Sequence, residues 1–377
     1  MVGTWVRAAI SSLFLVAAVV AAEAAPDPQR IADMLAAAAA ATGELTLTYE
    51  SVAADEDTVI LTGVRLALAD EAVMTIPSLI VVGVVEREGG GFTADRIVLD
   101  GGTVESSHGA AAWETAVVED VVVPAANEVA ARSRIRPFRK LTLGGLVASE
   151  AELPDPLAVT TLSVQVGELT DDKPTSVLVQ ATGAELPASV VTNPIGAAMI
   201  DGLGYAELLA DAVIDLDYDP SADTVVLHGL MVDAVEFGRV AVTASFSGLS
   251  FRALTDPEES AAARSAARLD AMTVRFDDGG LVGRMLDMQA EMLGGTRDEV
   301  REQLVYGALP FALSFVENAE FRGQFLAAAA AFLEDPRSLT VTVAPQAPVP
   351  LGEVMRTALR TPLKLPDLLT ANVAAND

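Results

Sequence analysis

One ten-residue pattern occurs twice in this chain. Asp57-Thr58-Val59-Ile60-Leu61-Thr62-Gly63-Val64-Arg65-Leu66 returns as Asp223-Thr224-Val225-Val226-Leu227-His228-Gly229-Leu230-Met231-Val232. A strand-like run precedes each copy, Leu45 to Tyr49 or Ile214 to Tyr218, and a further apolar run follows, Val73 to Val85 or Arg239 to Phe246. Turn residues, then a β-branched run with one Gly in it, describe a sheet hairpin whose Gly marks a bulge or a close backbone approach. The pattern therefore predicts two related β units, with Gly63 matching Gly229 and Val64 facing the same kind of environment as Leu230.

Period-two alternation extends this reading. Leu45, Leu47 and Tyr49 alternate with Thr; Ile60, Val64, Leu66 and Leu68 are expected to share a face; Leu162, Val164 and Val166 alternate with Ser163 and Gln165; Val240, Val242, Ala244 and Phe246 alternate with Arg239, Thr243 and Ser245. The run Leu79 to Val85 is apolar on both strand faces. Turns are expected at Glu86 to Phe92, where three consecutive Gly supply positive φ, and at Asp171-Asp172-Lys173-Pro174. Three stretches break the pattern. Asp27-Pro28 opens a helix over residues 28–42 with Ile31, Met34 and Leu35 on one face and Gly43 after its end. Residues 185–207, with Pro187 and Pro194, read as a loop and short helix. From Gly280 to Leu333 the period is helical, with Thr296-Arg297-Asp298-Glu299 as a capping box. Leu339, Val341 and Val343 return to strand, Ala344 to Pro350 blocks regular structure, and a helix and tail follow.

The fold class expected is α+β, mostly antiparallel sheet built from two related β units, with a C-terminal helical insertion. The organisation expected is a signal peptide over 1–24, a first β unit with its N-terminal helix over 25–184, and a linker helix with the second β unit over 185–277. A helical insertion follows over 278–337, and a strand, helix and tail over 338–377. The signal reading rests on Arg7, the apolar run Ala8 to Ala22 and the small-x-small site Ala22-Glu23-Ala24, which together predict cleavage before Ala25 and a periplasmic protein. An uncleaved anchor is the alternative, although the run falls short of the roughly 20 residues a spanning helix needs. Leu304 to Phe315, the most apolar later stretch, is also too short and contains Gly307 and Pro310.

Charge and composition exclude several classes. A formal net charge of −29 argues against nucleic acid as a partner, because phosphate backbones are held by neutralising cations. The absence of Cys excludes disulfides, thiolate metal sites and Cys nucleophiles. The sequence has no Gly-x-Ser-x-Gly elbow, His-Glu-x-x-His motif or Gly-Lys-Ser/Thr loop, and no cofactor is implied. Of the two histidines, His228 reads as a hydrogen-bonded structural residue. His108 follows Ser107 directly, and strand neighbours point to opposite faces, so they pair only if a turn bends them together. Asp215, Asp217 and Asp219 begin as a calcium loop does, but Pro220 stands where the EF-hand Gly belongs and Val226 where the bidentate Glu belongs. The reading without metal makes Asp215 and Asp217 the solvent side of a strand.

One basic cluster, Arg132, Arg134, Arg136, Arg139 and Lys140, stands out in a chain with 24 basic and 53 acidic residues. It either pairs with nearby carboxylates or contacts an anion, such as a lipid headgroup or an acidic partner. Apolar surplus is the remaining signal: 51% hydrophobic residues and a mean hydropathy of +0.40. Met285, Met288, Met292, Phe311, Phe315, Phe321 and Phe325 lie in the helical stretch, where they either fill a core or line a greasy groove under the helices.

A signal-like N-terminus followed by long, Gly-interrupted apolar strands, over Leu45 to about Val123 and Ala212 to Phe246, resembles the AsmA-like periplasmic β-repeat proteins. That resemblance implies lipid handling in the envelope of Gram-negative bacteria and carries over no individual residue. The function expected is therefore an exported envelope protein, not an enzyme, that binds a hydrophobic ligand, lipid foremost, between sheet and helices. The alternative is a structural or interaction protein that binds another envelope protein, and acid pairs suited to glycoside hydrolysis form a third.

Overall fold

The computed structural model describes residues 27–68, 71–130, 137–150, 153, 155–170, 173–191, 193–250 and 265–377. The signal-peptide segment and Arg132, Arg134 and Arg136 lie outside these residues. The chain divides into two compact units, with the boundary between Val190 and Val191. This is later than the break expected at 184, because the last strand of the first unit continues to Pro187.

The first unit opens with helix Pro28–Ala40, whose N-cap Asp27 accepts a hydrogen bond from the Gln29 backbone and whose end is followed by Gly43 at φ +80°. Its strands are β1 (Leu45–Thr48), β2 (Ser51–Asp55), β3 (Thr58–Leu68), β4 (Ala72–Val82), β5 (Val85–Glu86), β6 (Phe92–Ser106), β7 (Gly109–Val123), β8 (Lys140–Glu150), β9 (Leu157–Val166), β10 (Leu169–Thr170), β11 (Lys173–Pro174) and β12 (Ser176–Pro187). β10 and β11 pair with each other as a small hairpin. The others form an antiparallel sheet in which β3, β4, β6, β7, β8, β9 and β12 are successive neighbours, β1 and β2 share the outer edge of β3, and β5 pairs with β6.

The buried face of this sheet changes phase along one line. In β3 Val59, Leu61 and Val64 are buried, in β4 Leu79, Val81 and then Ile76, Met74, in β6 Ile97, Leu99 and then Val104, and in β7 Val118, Ala116 and then Trp113, Ala111. Each switch occurs where the strand registers are interrupted, at Gly63, Pro77, Gly101, Glu114, Gly145, Thr160 and Gly183. Gly63, Gly101, Gly145 and Gly183 all have φ between +60° and +75°. A left-handed residue rotates the strand, so the apolar positions on both sides of the crease turn inward. The pattern therefore corrects one expectation: Val59 and Leu61, not Ile60, share the core face with Val64.

The second unit contains helix Pro194–Gly202, then β13 (Glu207–Asp219), β14 (Thr224–Ala234), β15 (Gly238–Ser247) and β16 (Arg268–Asp278) as an antiparallel meander. Helices Leu281–Leu293, Arg297–Gln303, Leu309–Leu313 and Ala319–Glu334 are inserted before β17 (Ser338–Val343), which pairs directly with β16. The capping box forms, with Thr296 accepting from the Glu299 backbone and Glu299 from that of Thr296. β18 (Val349–Pro350), helix Leu351–Arg360 and helix Leu365–Leu369 follow. The expected tail is instead a strand, β19 (Ala371–Ala375), paired with β17, because Ala371, Val373 and Ala375 alternate with polar or small residues. No helix among the described residues is long and apolar enough to cross a membrane.

Candidate functional site

The registers of β13 to β19 assign the side chains of the second unit to two chemically distinct faces. Ala212, Ile214, Leu216 and Tyr218 on β13 stand beside Val232, Leu230, Leu227 and Val225 on β14, then Val240, Val242, Ala244 and Phe246 on β15. The face continues with Phe276, Val274, Met272 and Leu269 on β16, Leu339, Val341 and Val343 on β17, and Ala375, Val373 and Ala371 on β19. Every one of these side chains is apolar or Tyr. The opposite face carries Asp211, Asp215, Asp217, Arg239, Arg275 and Asp277 among its residues. Such segregation is what one buried and one wet face demand.

Among the described residues, helices pack on this apolar face at two places. At one end Phe276 and Leu339 pack under Val282, Leu286, Ala290 and Phe332. At the other Met272 and Phe246 pack with Val343, Leu369, Leu351 and Leu365, and Tyr218 packs with Val225, Leu249 and Ala267. Between them lies the register row Ile214, Leu230, Val242, Val274, Val341, an apolar trough in which Ile214 and Leu230 are exposed and Val242, Val274 and Val341 are half-buried. Ile214 and Leu230 are each 38% exposed, against 5% for Tyr218 and Val225 on the same face, and the exposure extends on β14 to Val232 at 39%, in the row of Phe276. The trough is about 13 Å wide from Met272 to Phe276 and about 19 Å long across five strands, from ordinary strand geometry.

The first unit offers a contrasting cavity. Leu35 and Leu47, with Val64, Met74, Leu99 and others, enclose about 60 Å³ between the N-terminal helix and the sheet. At about 30 Å³ per water that volume is a packing void, too small for a lipid chain.

The seven helical residues expected to line a groove do not surround one cavity. Met285, Met292, Phe311 and Phe315 are exposed, the last two as an edge-to-face pair with centroids 5.7 Å apart. Met288 lies near Gly202, and the half-buried Phe321 and Phe325 stack obliquely at 6.0 Å. Phe321 alone of the seven lines a polar-rimmed cavity of about 420 Å³, with Asn318, Gln324, Asn372 and Asp367. The floor residues Ile214, Leu230, Val242, Val274 and Val341 were the ones the sequence reading did not single out. Their signal was the alternation on β13, β15 and β17, which shows a two-faced strand but not which part of the face stays exposed.

The remaining candidates have local partners. Arg139 pairs with Asp120 and Glu119, and Lys140 lies 3.8 Å from Glu119. The Asp120 hydrogen bond and charge raise the Arg139 guanidinium pKa further. Asp217 holds His228 at 2.8 Å, and His228 is the extra residue of a bulge in β14. Asp219 accepts from the hydroxyl and backbone of Ser221 at 2.7 and 2.8 Å, which lowers its pKa. Asp223 accepts from Tyr218 at 2.7 Å. No cluster of three metal-ligating side chains occurs among the described residues. The hairpin turn from Ser106 to Gly109 does bend Ser107 towards His108, with Oγ 3.0 Å from Nδ1, contrary to the straight-strand expectation. Both are exposed at the hairpin tip, and among the described residues no third group orients the ring.

The repeated segments are both second arms of hairpins, but they differ in detail. Gly63 is left-handed in the crease, whereas Gly229 stands beside the bulge at His228 without a positive φ. Val64 is buried and Leu230 is open.

Residues 231–376, which run from within β14 through β19, match a family described as Uncharacterized protein. A search of curated proteins finds no match.

Proposed function

We propose that this is an exported envelope protein that holds a hydrophobic ligand, a lipid acyl chain foremost, along the trough of the second unit. The observation that carries the reading is the apolar row Ile214, Leu230, Val242, Val274, Val341, with Ile214 and Leu230 exposed and the other three half-buried, on a face that helices cover only in part among the described residues. A partly exposed apolar strip on an acidic chain costs solubility unless something occupies it. Its length of about 19 Å compares with about 15 Å for one hydrocarbon leaflet, so an extended chain fits. Export and a periplasmic location are supported by Arg7, the run Ala8 to Ala22 and Ala22-Glu23-Ala24. The pattern resemblance to AsmA-like proteins points the same way. The kinship of the two β units belongs to this proposal as well, and is supported by the shared Asp-Thr-Val hairpin arms.

Native mass spectrometry of protein recovered from its own periplasm tests the reading. The expected result is co-purifying lipid that disappears in Leu230→Gln, with a stability loss of only about 1 kcal/mol because Leu230 is already half in water. A ligand-free parent protein sinks the lipid reading and favours the interaction-protein alternative.

A further inference from the structure

Helix Leu351–Arg360 and the short turn after it, Pro362–Lys364, carry an apolar stripe that the fold does not use. Leu351 and Val354 pack inward against the cluster of Leu269, Val343, Val349 and Leu369. Met355 and Leu359 point away from it, 63% and 82% exposed, and Leu363 in the following turn is exposed too. Immediately beside each stands a cation: Arg356 after Met355, Arg360 after Leu359, Lys364 after Leu363. All three are exposed, and none makes an ion pair among the described residues.

They share this lack of a carboxylate partner with Arg268 and Arg322 among the described residues of the second unit, but only they fall together, within nine residues, beside exposed apolar side chains. Arg239, Arg275, Arg284, Arg297, Arg301 and Arg337, in the same unit, each have a carboxylate oxygen within 3.1 Å. In a chain with more than twice as many acids as bases, unpaired cations beside protruding Leu and Met form a local exception.

We propose that this surface docks on an anionic lipid bilayer. Met355, Leu359 and Leu363 enter the headgroup boundary, and Arg356, Arg360 and Lys364 meet phosphate groups, as in a monotopic amphipathic helix. Charge complementarity decides the occupant. The net charge of −29 disfavours an anionic surface over the chain as a whole, so a local stripe of three cations beside exposed apolar groups favours approach by this side. The inference does not depend on a ligand in the trough, which lies on other residues.

Flotation of the protein, in the form its own cells produce, with phosphatidylglycerol-containing or pure phosphatidylcholine vesicles tests it. Binding is expected to the anionic vesicles and to fall at high salt. It should drop at least about tenfold when Arg356, Arg360 and Lys364 are replaced together by Gln, as about 1 kcal/mol per surface cation implies. The double variant Met355→Gln, Leu359→Gln should lose binding comparably, and both variants should melt as the parent does, since every altered side chain is exposed. Equal binding to neutral vesicles, or unchanged binding by the charge variant, overturns the proposal. Failure to float combined with concentration-dependent dimers that the same variants abolish assigns the surface to a second copy instead. Loss of lipid from the trough variant Leu230→Gln, with flotation unchanged, separates this proposal from the groove reading.

Discussion

Gly102 faces Trp113 across the β6–β7 pair, and a Cβ at Gly102 would lie 2.1 Å from the indole ring. Trp113 is buried and its Nε1 has no hydrogen-bond partner among the described residues, so packing holds the ring. Gly102→Ala should therefore cost about 1–3 kcal/mol in a denaturant melt through overpacking. At its neighbour Gly101 a Cβ would make only ordinary contacts, at 3.8 and 3.9 Å from the Glu114 and Trp113 carbonyl oxygens, but the residue sits at φ +75°. Here Ala should cost about 1–2 kcal/mol, and Asn, which tolerates the left-handed region, should cost less. Two adjacent glycines would thus fail for different reasons, and equal losses for Asn and Ala at Gly101 would contradict the crease. The sequence shows both glycines but not these roles, because the role of each depends on what the register places opposite it. Gly63 was legible as an interruption for the same reason, while the reversal of phase that buries Leu61 and Val64 together was not.

Elements with local signals were the easiest to read. Asp27-Pro28 and Thr296 to Glu299 name their helix starts, because a cap is satisfied within a few residues of itself. Glu299 accepts from the backbone and then the hydroxyl of Thr296, and these bonds hold its pKa below the usual carboxylate value. A lowered folded pKa contributes stability above the unfolded value and loses it as pH falls through the folded one. Glu299→Gln should accordingly lower the melting temperature at neutral pH, with the gap closing as pH drops below the ordinary Glu range. A gap independent of pH would show that the carboxylate charge is not what caps the helix. β19 was missed because a five-residue edge strand gains its stability from pairing with β17, a partner 28 or more residues upstream. The helical Met and Phe residues were legible as surplus apolar surface, but their spacing alone does not say which side meets a sheet. The structure leaves Met285, Met292, Phe311 and Phe315 outward and puts the exposed apolar residues Ile214 and Leu230 on the strands.

At the scale of the whole molecule, the division at Val190 and Val191 gives each unit its own core. Residues 191–377 expressed alone should melt cooperatively and keep any ligand of the trough, whereas a molten fragment would show that the core clusters of this unit do not suffice. The two faces of β14 provide the most direct test of ligand binding. Leu230 opens onto the apolar trough and Val226 onto the opposite, polar face, yet both are 38% exposed. A photoreactive phenylalanine derivative placed at either position in living cells, irradiated and read by mass spectrometry, compares the faces at equal accessibility. The trough reading predicts a lipid adduct at position 230 and none at 226. Adducts to protein, or lipid at both positions alike, would contradict it.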